Sequence, residues 1–144
     1  MEFQGEDEVS PRKAEYLKYI LESGGCVKTT DIANNFGISP STGTKAIREM
    51  AEAGLLIHTP YAGATLTEKG EHIAHFIMRR HRILALLFSH YGFTPGEACA
   101  EVKRFEYHVS RDAVNRICAS LGHPMMSVCG RIEHEEGCCI EPAE

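Results

Sequence analysis

One stretch constrains this chain more than any other: Thr29 to Met50, TTDIANNFGISPSTGTKAIREM. Asp31–Phe36 reads as a short helix with a small residue, Ala33, where a second helix must come close. Gly37 supplies the left-handed residue that ends it, and Ile38 plugs the turn. Ser39 and Pro40 give the next helix an N-cap and a first-turn proline. Along that helix Gly43, Ile47, Met50 and Gly54 keep an apolar or small stripe at helical spacing. The other face carries Ser41, Thr42, Thr44, Lys45 and Arg48. Two helices joined by so tight a turn make a helix-turn-helix. Short hydroxyls and cations near the start of the second helix are what a recognition helix offers to base edges and phosphates. Plain helical cores contain such corners too; the polar face favours double-stranded DNA as the partner.

The flanks extend this unit. Ser10-Pro11 opens an earlier helix by the same device, with Tyr16, Leu17, Ile20 and Leu21 as its buried stripe and Gly24-Gly25 as its end. After the helix-turn-helix, LLIHTPYAGATLT is two short apolar runs around a Pro/Gly turn, the pattern of a β-hairpin. Helix, helix-turn-helix and hairpin predict a winged helix over residues 10–67. A long helical pattern follows from Glu68 to about Tyr91, with Ile73, Phe76, Ile77, Leu84, Leu87 and Phe88 on one side. Thr94-Pro95-Gly96-Glu97 is a capping box with proline in the first turn, and it starts a helix that buries Ala98, Val102 and Phe105. Ser110 caps another, with Val114, Ile117, Cys118 and Leu121 inward and Gly122 closing it. Helices this short with this much apolar surface bury it best against a second copy, so residues 68–122 read as an all-helical homodimerisation domain. Residues 1–9 read as a disordered acidic tail and 123–144 as a C-terminal tail rich in cysteine and histidine. The expected fold is mainly α.

Charge decides how such a protein could hold DNA. The net charge of −5 excludes a generally basic coat. Residues 10–70 hold seven basic and six acidic residues, so affinity must rest on a local patch and on pairing of two heads. No apolar run approaches the ~18 residues of a membrane span, and no leader is evident, which predicts a cytoplasmic protein with no membrane partner. The six cysteines then read as free thiols or metal ligands. No nucleophile with a nearby base, no glycine-rich phosphate loop and no paired catalytic carboxylates are present, so neither an enzyme nor a small-molecule substrate is expected.

The order of parts resembles the metal-dependent repressors of the diphtheria toxin repressor and manganese transport regulator family, in their short two-domain form. The resemblance covers about residues 10–124 and rests on SPRKAEYLKYI, DIANNFGISPSTGTKAIREM, YAGATLTEKG, MRRHRILALL, FEYHVSRDAVNRIC and LGHP. It implies a metal-responsive repressor that binds pseudo-palindromic DNA as a homodimer, with Ser39 and Pro40 setting the recognition helix. It implies liganding positions at Glu15, Lys18, His81, Lys103, Glu106 and Tyr107. Glu15, His81 and Glu106 can ligate; two lysines and a tyrosine stand where carboxylates and a histidine are expected. His108 could join Glu106 only if the helix unwinds before Ser110. Cys99 matches roughly where iron-type members keep a histidine, and on a continuous helix it would share a stripe with Lys103 and Glu106.

The implied ion is ferrous or manganous, with zinc as the third option. An ammonium ~5 Å from a dication costs roughly 6–7 kcal/mol at an effective dielectric of ~20, so Lys18 and Lys103 disfavour a purely oxygen and nitrogen site. Thiolates restore negative charge and shift preference toward iron or zinc. At least one cysteine ligand is therefore expected, from Cys99 or from Cys129, Cys138 and Cys139. The last three, with His134, also form a loose Cys-x4-His-x3-Cys-Cys pattern for a second metal or redox site. The alternative is the same scaffold without a metal switch, with Lys18 and Lys103 paired to Glu15 and Glu106, binding DNA constitutively or under control of cysteine oxidation.

Overall fold

The computed structural model describes residues 9–135. The acidic segment expected to be disordered, but for Val9, and Cys138 and Cys139 lie outside the described residues. The chain divides into two compact units, Met1–His75 and Phe76–Glu144.

The first unit is built from α1 (Pro11–Glu22), β1 (Cys26–Val27), α2 (Thr29–Phe36), α3 (Pro40–Glu52), β2 (Leu56–Thr59) and β3 (Gly63–Leu66), and α4 (Glu68–Ser89) begins within it. Ser10 caps α1 by accepting from the Lys13 amide, and Ser39 caps α3 by accepting from the Thr42 amide. The first helix of the corner starts two residues earlier than the sequence suggested. Lys28 stands at its N-cap, and Asp31 takes the Lys28 amide at 2.9 Å, so the acceptor comes from inside the first turn. Gly37 ends α2 in the left-handed region, with φ at 62°. The Phe36 ring meets Tyr16 edge-on at 4.7 Å, joining α1 to α2. Lys13 reaches Glu49 at 2.8 Å, joining α1 to α3. The expected hairpin is present as β2 and β3, but it gains a third strand: Cys26 pairs with Thr65 and Val27 with Ala64, giving the order β1-β3-β2. A two-residue strand has no periodicity to betray it.

Two glycines in this unit behave in opposite ways. Gly43 is buried at the α2–α3 crossing, yet a Cβ there would meet Ala33 Cβ and the Thr29 carbonyl at 3.7 Å, ordinary contact distance. Close approach therefore does not require glycine, and Gly43→Ala is expected to raise stability by about 1 kcal/mol through helix propensity. At Gly70, near the start of α4, a Cβ would lie 2.0 Å from the Leu55 carbonyl oxygen. That oxygen is held in place by the Thr67 amide at 3.0 Å. Gly70→Ala is expected to cost at least about 3 kcal/mol, read as a fall of more than about 10 °C in Tm. Thermal unfolding of the two variants side by side checks both signs.

The second unit contains the rest of α4, then α5 (Pro95–Val102), a 3-10 turn at Glu106–His108, α6 (Arg111–Ser120), β4 (Met126–Ser127) and β5 (Gly130–Arg131). Thr94 and Glu97 form the expected capping box of α5. Phe76 and Ile83 of α4 pack with Val114 and Cys118 of α6 and with Ile132. Leu84 and Ala85 pack with Ala98 and Val102 of α5. Apolar contact on two sides buries α4 more completely than its one-sided stripe implied; Arg79 and Arg80 are 2% exposed. Arg79 donates to Asn115 and to Glu135, both at 2.8 Å.

Two expectations fail here. The helix bearing Cys99 stops at Val102 with Lys103 as its C-cap, and Glu106 lies in a separate 3-10 turn, so Cys99, Lys103 and Glu106 do not form one helical stripe. Residues 123–135 are not a loose tail either. β4 and β5 pair antiparallel across a two-residue turn, Val128-Cys129, and Ile132 beyond them is fully buried. Ser127 Oγ donates to the Arg82 carbonyl at 2.7 Å and Arg82 Nη1 donates to the Arg131 carbonyl at 2.6 Å, fixing the hairpin to α4.

Candidate functional site

The hairpin has a consequence for chemistry. Its turn carries Cys129 to His81 of α4 and Cys99 of α5, and the ligand atoms of these three residues lie within 4.8 Å of one another. His81 is buried, Cys99 half-buried and Cys129 exposed. Glu106 is 5% exposed, and its Oε2 takes the His81 Nδ1 proton at 2.5 Å. A carboxylate that grips one ring nitrogen fixes the tautomer and rotation of the other, which is how metal-binding histidines are commonly held. Nδ1 being engaged, the nitrogen left for an ion is Nε2.

Electrostatics agree with a site built for positive charge. Burial alone would push His81 down, but hydrogen bonds that it donates to Cys129 and Glu106, the Glu106 charge and Cys99 raise it to about 10. Burial acts to raise the Cys129 thiol, yet His81, Ser127 and Cys99 overcome it and lower it to about 7. Without an ion, an imidazolium therefore carries the positive charge between a carboxylate and a thiolate. An ion must displace that proton, so its affinity rises with pH. The ion must also take both sulfurs as thiolates, so the expected slope is at least about tenfold per pH unit between about 7 and 10, and steeper below about 7. A competition titration with a chromophoric chelator over this range checks it.

Of the other expected positions, those in the second unit fall elsewhere. Glu15 is exposed on α1 in the first unit, 3.5 Å from Arg12. Lys103 is exposed. Tyr107 lies under the Arg80 guanidinium at 5.5 Å. The backbone does unwind before Ser110, but the 3-10 turn buries Glu106 and leaves His108 exposed, so the two diverge and His108 does not join His81. Cys129 belongs with His81, whereas His134 lies with Cys118 and His123 in a separate cluster, so the pairing of Cys129 with His134 fails. Among the described residues, neither Lys18 nor Lys103 pairs with Glu15 or Glu106; Arg12 and His81 take those carboxylates.

On α3, Ser39, Pro40, Ser41, Thr42, Lys45 and Arg48 are exposed together and Thr44 is half-buried. The Lys45 side chain is 77% exposed, with Glu49 at 3.9 Å. Thr44 Oγ1 donates to the Pro40 carbonyl at 2.9 Å. Ser39 Oγ lies 2.8 Å from Thr42 Oγ1 and 3.1 Å from Ser41 Oγ, so these hydroxyls cluster at the open N-terminus of the helix.

Comparison with known proteins covers both units. Residues 8–64 match the family described as iron dependent repressor, N-terminal DNA binding domain. Residues 67–135 match iron dependent repressor, metal binding and dimerisation domain. The HTH-type transcriptional regulator MntR of Shouchella clausii is 30% identical over 111 residues, 75% of this chain and 78% of that protein. Among solved structures, the SSo2273 protein of Sulfolobus solfataricus superposes with a TM-score of 0.73 at 24% identity, covering 85% of this chain and 95% of that one. A manganese-dependent transcriptional repressor, solved in complex with manganese, has a TM-score of 0.68 at 31% identity, covering 86% of this chain and 63% of that one. The order of parts, the two domain matches and the level of identity agree: this chain belongs to the iron-dependent repressor family, the DNA-binding, dimerising and divalent-metal-binding transcriptional regulators of diphtheria toxin repressor and manganese transport regulator type.

Proposed function

We propose that the protein is a cytoplasmic, homodimeric repressor of pseudo-palindromic operators, switched on by a thiolate-preferring divalent ion, Fe2+ or Zn2+, held by His81, Cys99 and Cys129 with Glu106 behind the histidine. The observation that carries this reading is the convergence of one imidazole and two thiols within 4.8 Å. Manganese favours oxygen donors, whereas thiolates favour iron and zinc. The lysine at 103 offers no objection, since its side chain is exposed to solvent.

The ion would tie the turn of the hairpin to α4 and α5, and so favour one arrangement of the dimerisation domain. A ligand that binds one state stabilises it by RT ln(1 + [L]/Kd). Residues 10–70 carry about one net positive charge, too little to hold DNA alone, so affinity depends on two heads acting together, and anything that strengthens the dimer strengthens DNA binding. Ser41, Thr42, Thr44, Lys45 and Arg48 would read the major groove and phosphates from α3. Fluorescence anisotropy with an operator-bearing duplex, paired with sedimentation, tests this. Fe2+ or Zn2+ should restore binding and dimerisation after chelation and Mn2+ should not; equal restoration by Mn2+ would sink the assigned ligand set.

One observation favours a second input. Cys129 is exposed, lowered to about 7, and lies in the same cluster as Cys99, the setting in which a thiolate is readily oxidised. A peroxide would take two electrons from the two thiols to give a disulfide and water, removing both sulfur ligands. Metal-free protein treated with mild peroxide and then freed of it should no longer regain DNA binding on addition of Zn2+, and dithiothreitol should return that response.

A further inference from the structure

The second unit holds another convergence of ligand atoms, outside the centre assigned above. Cys118 Sγ lies 3.5 Å from His123 Nδ1 and 3.6 Å from His134 Nδ1, and the three ligand atoms fall within 4.8 Å of one another. Cys118 is fully buried and both histidines are half-buried.

The backbone explains the meeting. α6 ends with Leu121 as its C-cap and Gly122 at φ 78°. The His123 amide bonds back to the Cys118 carbonyl at 2.9 Å. This is a Schellman closure, which places the second residue after the cap against the residue three before it. That contact is usually apolar; here its two members are a histidine and a cysteine. His123 itself has φ 52°, a conformation that histidine tolerates better than most residues. The third member comes from the far end of the hairpin. The Ile132 amide bonds to the Met125 carbonyl at 3.0 Å, bringing the chain back beside its start. His134 Nε2 then donates to the Pro124 carbonyl at 2.7 Å. That bond puts the proton on Nε2 and leaves the Nδ1 lone pair facing the sulfur, the arrangement a metal-ligating histidine takes.

The spacing also fits an ion. A tetrahedral zinc with bonds of about 2.3 Å to sulfur and about 2.05 Å to nitrogen would separate those atoms by about 3.5 Å. We propose that Cys118, His123 and His134 form a second site for a divalent ion of zinc type, fastening the end of α6 to the strand end of the hairpin. One sulfur and two nitrogens suit zinc and disfavour manganese or magnesium. This site is independent of the His81 centre and stands or falls separately from it.

The test is stoichiometry and spectrum of the full chain titrated with Co2+ and, separately, Zn2+, under reducing conditions. Wild type should take two equivalents of either ion. Cys99→Ser/Cys129→Ser should keep one, with a thiolate-to-cobalt charge-transfer band contributed by Cys118. His123→Ala/His134→Ala should lose that equivalent, its affinity falling more than about 100-fold, while keeping the other. These histidines are only half-buried, so the variant avoids the folding risk of changing Cys118. In the Cys99→Ser/Cys129→Ser background, Zn2+ should still raise Tm, and the histidine changes should abolish that rise. Two equivalents retained by His123→Ala/His134→Ala would overturn the proposal. So would loss of the equivalent in Cys138→Ser/Cys139→Ser alone, since the ion would then belong to those thiols. One equivalent lost with the histidines but none with Cys99 and Cys129 would leave this site standing and remove the other.

Discussion

Lys45→Ala combined with Arg48→Ala should leave a dimer that no longer holds operator DNA. Both cations lie on the exposed face of α3, and neither is needed for folding: the helix is closed by Ser39 and buried through Ala46, Ile47 and Met50. Each base or phosphate contact of this kind is worth about 1–3 kcal/mol. The dimer loses four, so the affinity should fall by at least about 10³-fold. The charge argument reaches the same result. Residues 10–70 go from seven basic against six acidic residues to five against six, and the head turns from attracting a polyanion to repelling it. Anisotropy at fixed salt, with sedimentation confirming the dimer, makes the measurement. Affinity within tenfold of wild type would mean that α3 is not the reading helix.

A change of comparable size is expected at the metal centre. Structural zinc sites with four ligands bind with about 10–16 kcal/mol, or roughly 3 kcal/mol per ligand. Removing two sulfurs by Cys99→Ser/Cys129→Ser should therefore weaken Fe2+ or Zn2+ at this site by about 10⁴-fold and abolish metal-dependent DNA binding. His81→Ala, which removes one ligand, should weaken binding by about 10²-fold. Competition against a chelator of known affinity reads both. If His81→Ala loses the ion while the double serine variant keeps it, the ligands are oxygen and nitrogen after all.

What the sequence disclosed follows the range of the signals it used. Ser10-Pro11, Ser39-Pro40 and Thr94-Pro95 act within one turn, and each helix start they mark is where the structure has it. The resemblance in order of parts carried the family, and Ser110 and Gly122 bracketed α6. The proposed metal centre was legible only in pieces. His81, Cys99 and Glu106 could be picked out, and a cysteine ligand was demanded by the charge of the lysines. Their assembly depended on a break after Val102, where KRFEYH holds no glycine or proline to announce it. It depended also on a hairpin of two-residue strands, too short for alternation to register. The one local signal was Gly130, which follows the turn at the start of β5 and takes φ 145°. Cys118 was read as core, which it is; that its sulfur faces two imidazoles follows from the helix ending three residues later, and no stripe count shows it.

The place of Cys129 at the tip of a two-residue turn bears on how quickly the centre could exchange its ion. The stem is held by two strand pairs and by the Arg82 and Ser127 hydrogen bonds, each worth about 0.5–1.5 kcal/mol net. Lifting the tip is thus a local opening, far cheaper than unfolding the buried side of α4 that carries His81. An ion gripped from one side by a rigid histidine and from the other by a hinged thiol can leave without the domain melting. With the proposed ligands, residence time would be set by the hairpin rather than by global stability, and the protein would follow a falling metal supply on the timescale of loop motion while remaining folded.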